Sequence, residues 1–142
     1  MSVNVSVRLD DKLAERLRLR ARAAGETLSD RLRRYAEEGA RRDEHPLITF
    51  RDGPAGRRAG LVGGPDVWEV ALWVHDLSAD LAAKGSREPQ AAADHLAATL
   101  ADEMDLPRAL IDAALHYRAA YPDEIAARIE LHRAETARAD AM

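Results

Sequence analysis

Cysteine is absent from the 142-residue sequence, and aromatic residues make up only 4% of it. The lack of cysteine excludes a disulfide scaffold, a cysteine-ligated zinc site and a thiol nucleophile. No apolar run approaches the ~18 residues that a membrane-spanning helix needs, and the first residues lack the apolar core of a signal peptide. We therefore expect a soluble, cytoplasmic protein without membrane contact. The remaining composition, 46% hydrophobic and 32% charged, is typical of a globular chain.

Lysine is also scarce, since only two of the 21 basic residues are lysines. The overall charge of −4 conceals a split along the chain. Residues 1–58 carry 14 Lys and Arg against 10 Asp and Glu, a net charge of +4, whereas residues 59–142 carry 7 against 15, a net charge of −8. A GC-rich gene explains the arginine excess but not this split, which predicts different partners for the two parts.

A strictly alternating segment opens the chain. Val3, Val5, Val7 and Leu9 share one face of a predicted β-strand over residues 3–9, and the other face carries Asn4, Ser6 and Arg8. Asp10 and Asp11 follow as the start of a helix over about 12–24, which Gly25 ends.

A second helix is predicted to begin after Thr27, with Asp30 completing a capping box. We expect it to end near Gly39, and the residues of 41–46 to form a charged linker. The chain is thereby divided into domains 1–44 and 45–142.

The second domain is predicted to contain a β-hairpin followed by helices. The strands cover 47–51 and 57–62, and the helices cover about 66–83, 88–102, 106–120 and 123–138. Breaks are expected at Gly85-Ser86, at Asp105 as an N-cap, and at Tyr121-Pro122. The predicted fold class is therefore mainly α with a small β component.

A single strand of seven residues cannot cover its own apolar face, and about 45 residues is near the lower limit for an independent domain. Antiparallel pairing of residues 3–9 from two copies removes both difficulties. The outer face of such a ribbon carries Asn4, Ser6 and Arg8 twice, and a two-stranded ribbon fits the major groove of DNA.

Residues 2–40 resemble the ribbon-helix-helix DNA-binding family of the CopG, Arc and MetJ type. The resemblance rests on the alternating strand, the acidic helix start, the glycine turn and the Thr-x-Ser opening of the second helix. It implies a homodimer, with higher oligomers left open, in which Asn4, Ser6 and Arg8 read bases of double-stranded operator DNA. It also implies phosphate contacts, for which the candidates are Thr27, Leu28, Ser29, Arg31 and Arg34, with Arg33 adding attraction.

Residues 47–121 resemble, more loosely, the antitoxin-associated domain of unknown function 433, which has a helix-turn-helix-like character. Gly56-Arg57-Arg58 and Ala114-Leu115-His116-Tyr117 follow its pattern, whereas Val62-Gly63-Gly64 departs from it. The candidate reading helix of this domain offers Arg108 and Asp112, a poor combination for DNA, so protein binding is favoured over DNA contact here.

The two resemblances together imply a VapB-like antitoxin of a type II toxin–antitoxin system. Such a protein represses its own operon and neutralises a cognate toxin, here of the PIN-like ribonuclease class. A stand-alone repressor and a protein-interaction module without DNA binding are the alternatives. The five histidines form no ligand motif, and the i, i+4 pair Asp112 and His116 fits a surface pair or the edge of the core better than a metal site. We expect no enzymatic activity, no metal and no cofactor.

Overall fold

The computed structural model describes residues 1–83, 85 and 89–142, which are mainly helical with one two-stranded antiparallel sheet. This confirms the predicted fold class at that level. The helices are α1 (Asp11–Ala23), α2 (Leu28–Glu44), α3 (Val67–Ala83), α4 (Pro89–Glu103), α5 (Arg108–Ala120) and α6 (Pro122–Asp140), and the strands are β1 (Ile48–Arg51) and β2 (Arg58–Leu61). The chain divides into two compact units, residues 1–41 and 42–142.

Both ends of α1 follow from local sequence. The Asp10 carboxylate accepts a hydrogen bond from the amide of Leu13 at 2.9 Å, and thereby caps the first turn. Gly25 adopts a φ of 68°, and the next amide, that of Glu26, donates to the carbonyl of Ala21 at 3.0 Å. This pairing is a Schellman motif, in which glycine takes the left-handed position. The predicted cap and the predicted glycine stop are confirmed.

The start of α2 is the predicted capping box, but its end is not where the sequence placed it. The helix passes Gly39, and the expected charged linker from Arg41 onward is wrong up to Glu44. A glycine within an exposed helix costs only about 1 kcal/mol relative to alanine. The ion pair between Glu37 and Arg41, 2.7 Å apart, spans this glycine at the favourable i, i+4 spacing.

The predicted hairpin is confirmed. Strand β1 begins one residue later than predicted, and β2 is one residue shorter at each end. Ile48 pairs with Leu61 and Arg51 with Arg58 across the antiparallel sheet. The connecting turn ends at Gly56, whose φ of 98° requires glycine.

Helix α3 lies at the centre of the second unit and packs against α4, α5, α6 and β2. The buried apolar cluster joins the hairpin to the four helices; it consists of Ile48, Ala59, Leu61, Val67, Val70, Ala71, Val74, Ala97, Leu100, Leu110, Ile111, Ala114, Tyr117 and Ile125. No helix in the described part of the chain is both long and apolar enough to cross a membrane.

The connection between α4 and α5 differs from the prediction at Asp105. This residue does not cap α5; it has a φ of 52° just after α4. The amide of Leu106 donates to the carbonyl of Ala101 at 2.9 Å, so Asp105 takes the left-handed position of a second Schellman motif. Aspartate tolerates this conformation better than most residues do. The predicted break at Ser86 and the predicted helix start at Glu88 lie outside the described residues.

Candidate nucleic-acid interface

The N-terminal arm, residues 1–10, has no regular secondary structure in the single chain. Its apolar side chains Val3, Val5 and Val7 are 84, 79 and 71% exposed, and its polar residues Asn4, Ser6 and Arg8 are exposed as well. Strand hydrogen bonds need a partner, and no other strand of the described first unit lies beside the arm. The strand over 3–9 and its pairing between two copies therefore stay predictions.

The first unit buries very little apolar surface. Leu17 and Ala21 are its only buried hydrophobic residues, whereas Leu19 on the same helix is 53% exposed. A packed domain of this length normally buries more than half of the surface of its unfolded chain. The unit as a single copy therefore leaves apolar surface uncovered on the arm and on α1.

At the start of α2, the predicted phosphate-binding turn already holds a carboxylate. The amide of Asp30 donates to the Thr27 hydroxyl at 3.0 Å, and the amide of Thr27 donates to the Asp30 carboxylate at 3.4 Å. Side-chain and backbone hydrogen bonds from Thr27 lower the pKa of Asp30 below its ordinary value. The amides of Leu28 and Ser29 also lie in this turn, where no carbonyl within the helix can accept from them.

Arg31 is buried against Glu26, not directed to solvent. Its guanidinium forms an ion pair with the Glu26 carboxylate and donates to the carbonyl of Arg20 at 3.3 Å. It also donates to the Tyr35 hydroxyl at 3.2 Å and lies 5.7 Å from the centroid of that ring. A phosphate contact by Arg31 stays a prediction, one that requires the Glu26 ion pair to open.

The contact between Arg31 and Tyr35 changes the acidity of both groups. The hydrogen bond with Tyr35 is the main cause that raises the pKa of Arg31, and the same bond lowers the pKa of Tyr35. The guanidinium is charged in any case, and the Tyr35 hydroxyl oxygen accepts its hydrogen bond.

Arg34 lies beside the same carboxylate, with its guanidinium 3.6 Å from Glu26 and 3.9 Å from Glu38. Arg33 is exposed and lies 3.5 Å from Asp30. Of the predicted phosphate contacts, the structure thus brings Thr27, Leu28 and Ser29 into one turn and places Arg31 and Arg34 together on Glu26.

Sequence reasoning missed Glu26 and Tyr35 as parts of this cluster. The i, i+4 spacing of Arg31 and Tyr35 was a usable signal, because such residues are neighbours on a helix. The position of Glu26 follows only from the turn geometry after Gly25, which no helical spacing reveals.

In the second unit, Arg108 at the start of α5 does not present a free charge. It lies 3.0 Å from Asp94 and 3.8 Å from Asp112. Neutralisation of the one basic residue in this turn weakens the case for DNA contact through α5.

The Gly-Arg hairpin of the second resemblance is held by acidic partners. Arg57 lies 3.1 Å from Asp52, and Arg58 pairs with the buried Asp66, which also lies 3.1 Å from Arg51. Both arginines therefore serve the hairpin itself.

Tyr117 of the Ala-Leu-His-Tyr segment is fully buried, and its hydroxyl donates to Glu124 at 2.6 Å. Its ring contacts His45 edge-on, with centroids 5.3 Å apart. Tyr117, one of the residues on which the second resemblance rests, therefore belongs to the core of the second unit.

Asp112 and His116 line one cavity of about 320 Å³ together with Glu44 and His45. Within the described residues, no group of three or more acidic or histidine side chains is close enough to hold a metal ion.

Comparisons of the chain with protein-family models, with curated proteins and with solved structures gave no match.

Proposed function

We propose that the chain binds operator DNA as a homodimer, through a ribbon made of residues 3–9 from two copies. The observation that carries the proposal is the arm, in which three exposed valines alternate with Asn4, Ser6 and Arg8. Apolar surface of this kind on a soluble chain marks an interaction site. Pairing two arms buries the valines and leaves the polar faces for base edges in the major groove.

The start of α2 supplies the backbone part of the interface. The amides of Leu28 and Ser29 stand at the positive end of the helix dipole, which favours a phosphate. Arg31 and Arg34 add basic charge to this turn once they exchange Glu26 for a phosphate.

We further propose that the protein is the antitoxin of a type II toxin–antitoxin system and neutralises a PIN-like ribonuclease. The antitoxin role and the toxin class are what the two resemblances imply. The charge split supports the division of partners, because a basic front suits DNA and an acidic remainder suits a protein that itself binds RNA. A small nuclease-like reading frame beside the gene and co-purification of its product are the expected findings. Their absence favours a stand-alone repressor.

Arg8→Ala tests the DNA-binding part. Each bidentate arginine–base contact contributes about 1–3 kcal/mol of discrimination and the dimer has two, so specific binding should fall at least tenfold. The measurement is fluorescence anisotropy with duplex DNA from upstream of the gene. Arg18→Ala, an exposed change of equal charge on α1, is the control. If the Arg8→Ala variant binds this DNA as tightly as the wild type does, the proposed ribbon is contradicted.

A further inference from the structure

Helices α3 and α4 concentrate negative charge. Residues 67–83 and 89–105 together contain seven Asp and Glu and neither lysine nor arginine. The five residues between them in sequence, 84–88, add two basic residues and one acidic residue. These two helices therefore differ from the other four described helices, each of which carries both acidic and basic residues.

Several of these acids lie at positions where their negative charge destabilises the helix that contains them. Asp80 lies in the last turn of α3, and Asp102 and Glu103 lie in the last turn of α4. The carboxyl end of a helix carries the negative end of its dipole, so an anion there is unfavourable. Neither helix has a basic residue in its last turn. Since folding does not explain these carboxylates, binding is the better reason for them.

A groove of about 340 Å³ runs between the two helices at this place. Its floor is apolar, formed by Trp73, Leu77, Leu100 and Met104, and its rim is acidic, formed by Asp76, Asp80 and Glu103. The three rim residues are exposed, and within the described part of the chain their carboxylates form no ion pair and no hydrogen bond. Among the described residues, the rim therefore offers three unpaired carboxylates around an apolar floor that includes the Trp73 ring.

We propose that this groove docks a basic amphipathic helix of a protein partner. The apolar face of such a helix would pack on Trp73 and Leu77, and tryptophan is the residue most often found as an energetic anchor of interfaces. Lysine or arginine side chains would extend along the apolar floor with their charged ends at Asp76, Asp80 and Glu103. A cation over the Trp73 ring adds a further attraction. Nucleic acid is disfavoured as the occupant because the three rim carboxylates repel phosphate.

The inference rests on the proposed function, which gives the expectation that a protein partner exists. It deepens that function by naming the surface of this chain to which the partner binds. Its test contains no DNA. A negative result would therefore leave the arm and its DNA binding standing, and loss of DNA binding in Arg8→Ala would not affect the groove.

The probe is a synthetic helical peptide with the repeat Leu-Lys-Lys-Leu-Leu-Lys-Leu, titrated into the full chain. The readout is the pair of tryptophan indole N–H signals in NMR, which Trp68→Phe assigns. We expect the Trp73 signal to shift and saturate, while the Trp68 signal, from a ring packed on His132, stays in place. The same peptide with glutamate for lysine should not bind. No shift at Trp73, or equal binding of the glutamate peptide, would overturn the proposal.

Two triple variants separate the groove from net charge. Asp76→Asn/Asp80→Asn/Glu103→Gln removes the rim charges, and Glu130→Gln/Glu135→Gln/Asp140→Asn makes the same change of charge on exposed positions of α6. Exposed ion pairs are individually weak, so the rim variant should bind the lysine peptide about tenfold more weakly and the α6 variant within about twofold of wild type. The rim variant should remain folded, since all three positions are exposed and two of them, Asp80 and Glu103, carry carboxylates at unfavourable helix ends. Equal losses of peptide affinity in both variants would overturn the proposal. So would a Trp73 signal that shifts with protein concentration in the absence of peptide, because a second copy of the chain would then be the occupant of the groove.

Discussion

The carboxylate of Glu26 and the guanidinium of Arg31 form an ion pair in which both side chains are largely withdrawn from solvent. The same carboxylate lies 3.6 Å from Arg34. Glu26 thus lies between two arginines, directly before the first turn of α2. In the proposed DNA complex a phosphate would take this place, so we expect the carboxylate to compete with it and to restrain non-specific binding.

Replacement of this carboxylate should strengthen DNA binding. In Glu26→Gln the arginines keep a hydrogen-bond acceptor but lose the competing charge, so affinity for duplex DNA should rise several-fold at low salt. Each newly engaged phosphate steepens the plot of log affinity against log salt by about 0.9, which a salt series of anisotropy titrations measures.

Glu15→Gln makes the same charge change at an exposed position of α1 and is the matched control. Equal gains in both variants would assign the effect to net charge. A loss of affinity in Glu26→Gln would instead mean that Glu26 holds the arginines in their binding position.

The two faces of the arm should respond in opposite ways to the same substitution. Val5→Asp places a charge on the face expected to pair between copies, so it should dissociate the dimer at micromolar concentrations, because two unpaired carboxylates cannot be buried there. Ser6→Asp changes the neighbouring residue on the other face, so the dimer should persist while phosphate repulsion removes DNA binding. Sedimentation and anisotropy separate these outcomes. A dimer that survives Val5→Asp would contradict the ribbon.

Most features that depend on neighbours in sequence were predictable, and features that depend on distant contacts were not. The Asp10 cap, the Gly25 stop and the Thr27–Asp30 box each join residues at most five positions apart. The burial of Arg31 depends on Arg20, eleven residues away. Two local features were also missed, the continuation of α2 past Gly39 and the left-handed Asp105, because at each place the same residues fit either a helix or a break. Asn4, Ser6 and Arg8 remain untested for a third reason, since their role requires a second copy of the chain.

Asp66, directly before α3, should contribute far more to stability than an exposed acid in the turn of the hairpin. It is buried, pairs with Arg58, and lies 3.1 Å from Arg51, whose guanidinium also donates to the carbonyl of Gly64 at 2.8 Å. Asp66→Asn leaves two arginines short of a counter-charge. Because these arginines are only partly buried, we expect a loss of roughly 2–4 kcal/mol in the free energy of unfolding, somewhat below that for a fully buried pair.

Asp52→Asn is the comparison for this prediction, since Asp52 is largely exposed beside Arg57. Exposed ion pairs contribute little, so the change should stay within about 1 kcal/mol. Denaturant unfolding followed by the fluorescence of Trp68 and Trp73 reports on the second unit. Equal costs for the two variants would mean that Asp66 does not link the hairpin to α3.

The capping box at the start of α2 should make the first unit sensitive to acid. Hydrogen bonds from Thr27 lower the pKa of Asp30 in the folded chain. The stability that this carboxylate adds is therefore fully present above its unfolded pKa of about 3.9, and is lost as the pH falls through the lower folded pKa. Thr27→Val removes the hydroxyl. This should raise the pKa of Asp30 towards its ordinary value, and the loss of the N-cap should cost about 1 kcal/mol of helix stability.

Carboxyl-carbon NMR of Asp30 measures the midpoint, and thermal unfolding at neutral and acidic pH measures the stability. Because Ser29 contributes no side-chain hydrogen bond to the box, Ser29→Ala should leave both unchanged. The difference in stability between wild type and Thr27→Val should shrink below about pH 4, since protonation of Asp30 removes what the hydroxyl stabilises. A difference that stays constant with pH would mean that the hydroxyl caps the helix without acting on the carboxylate.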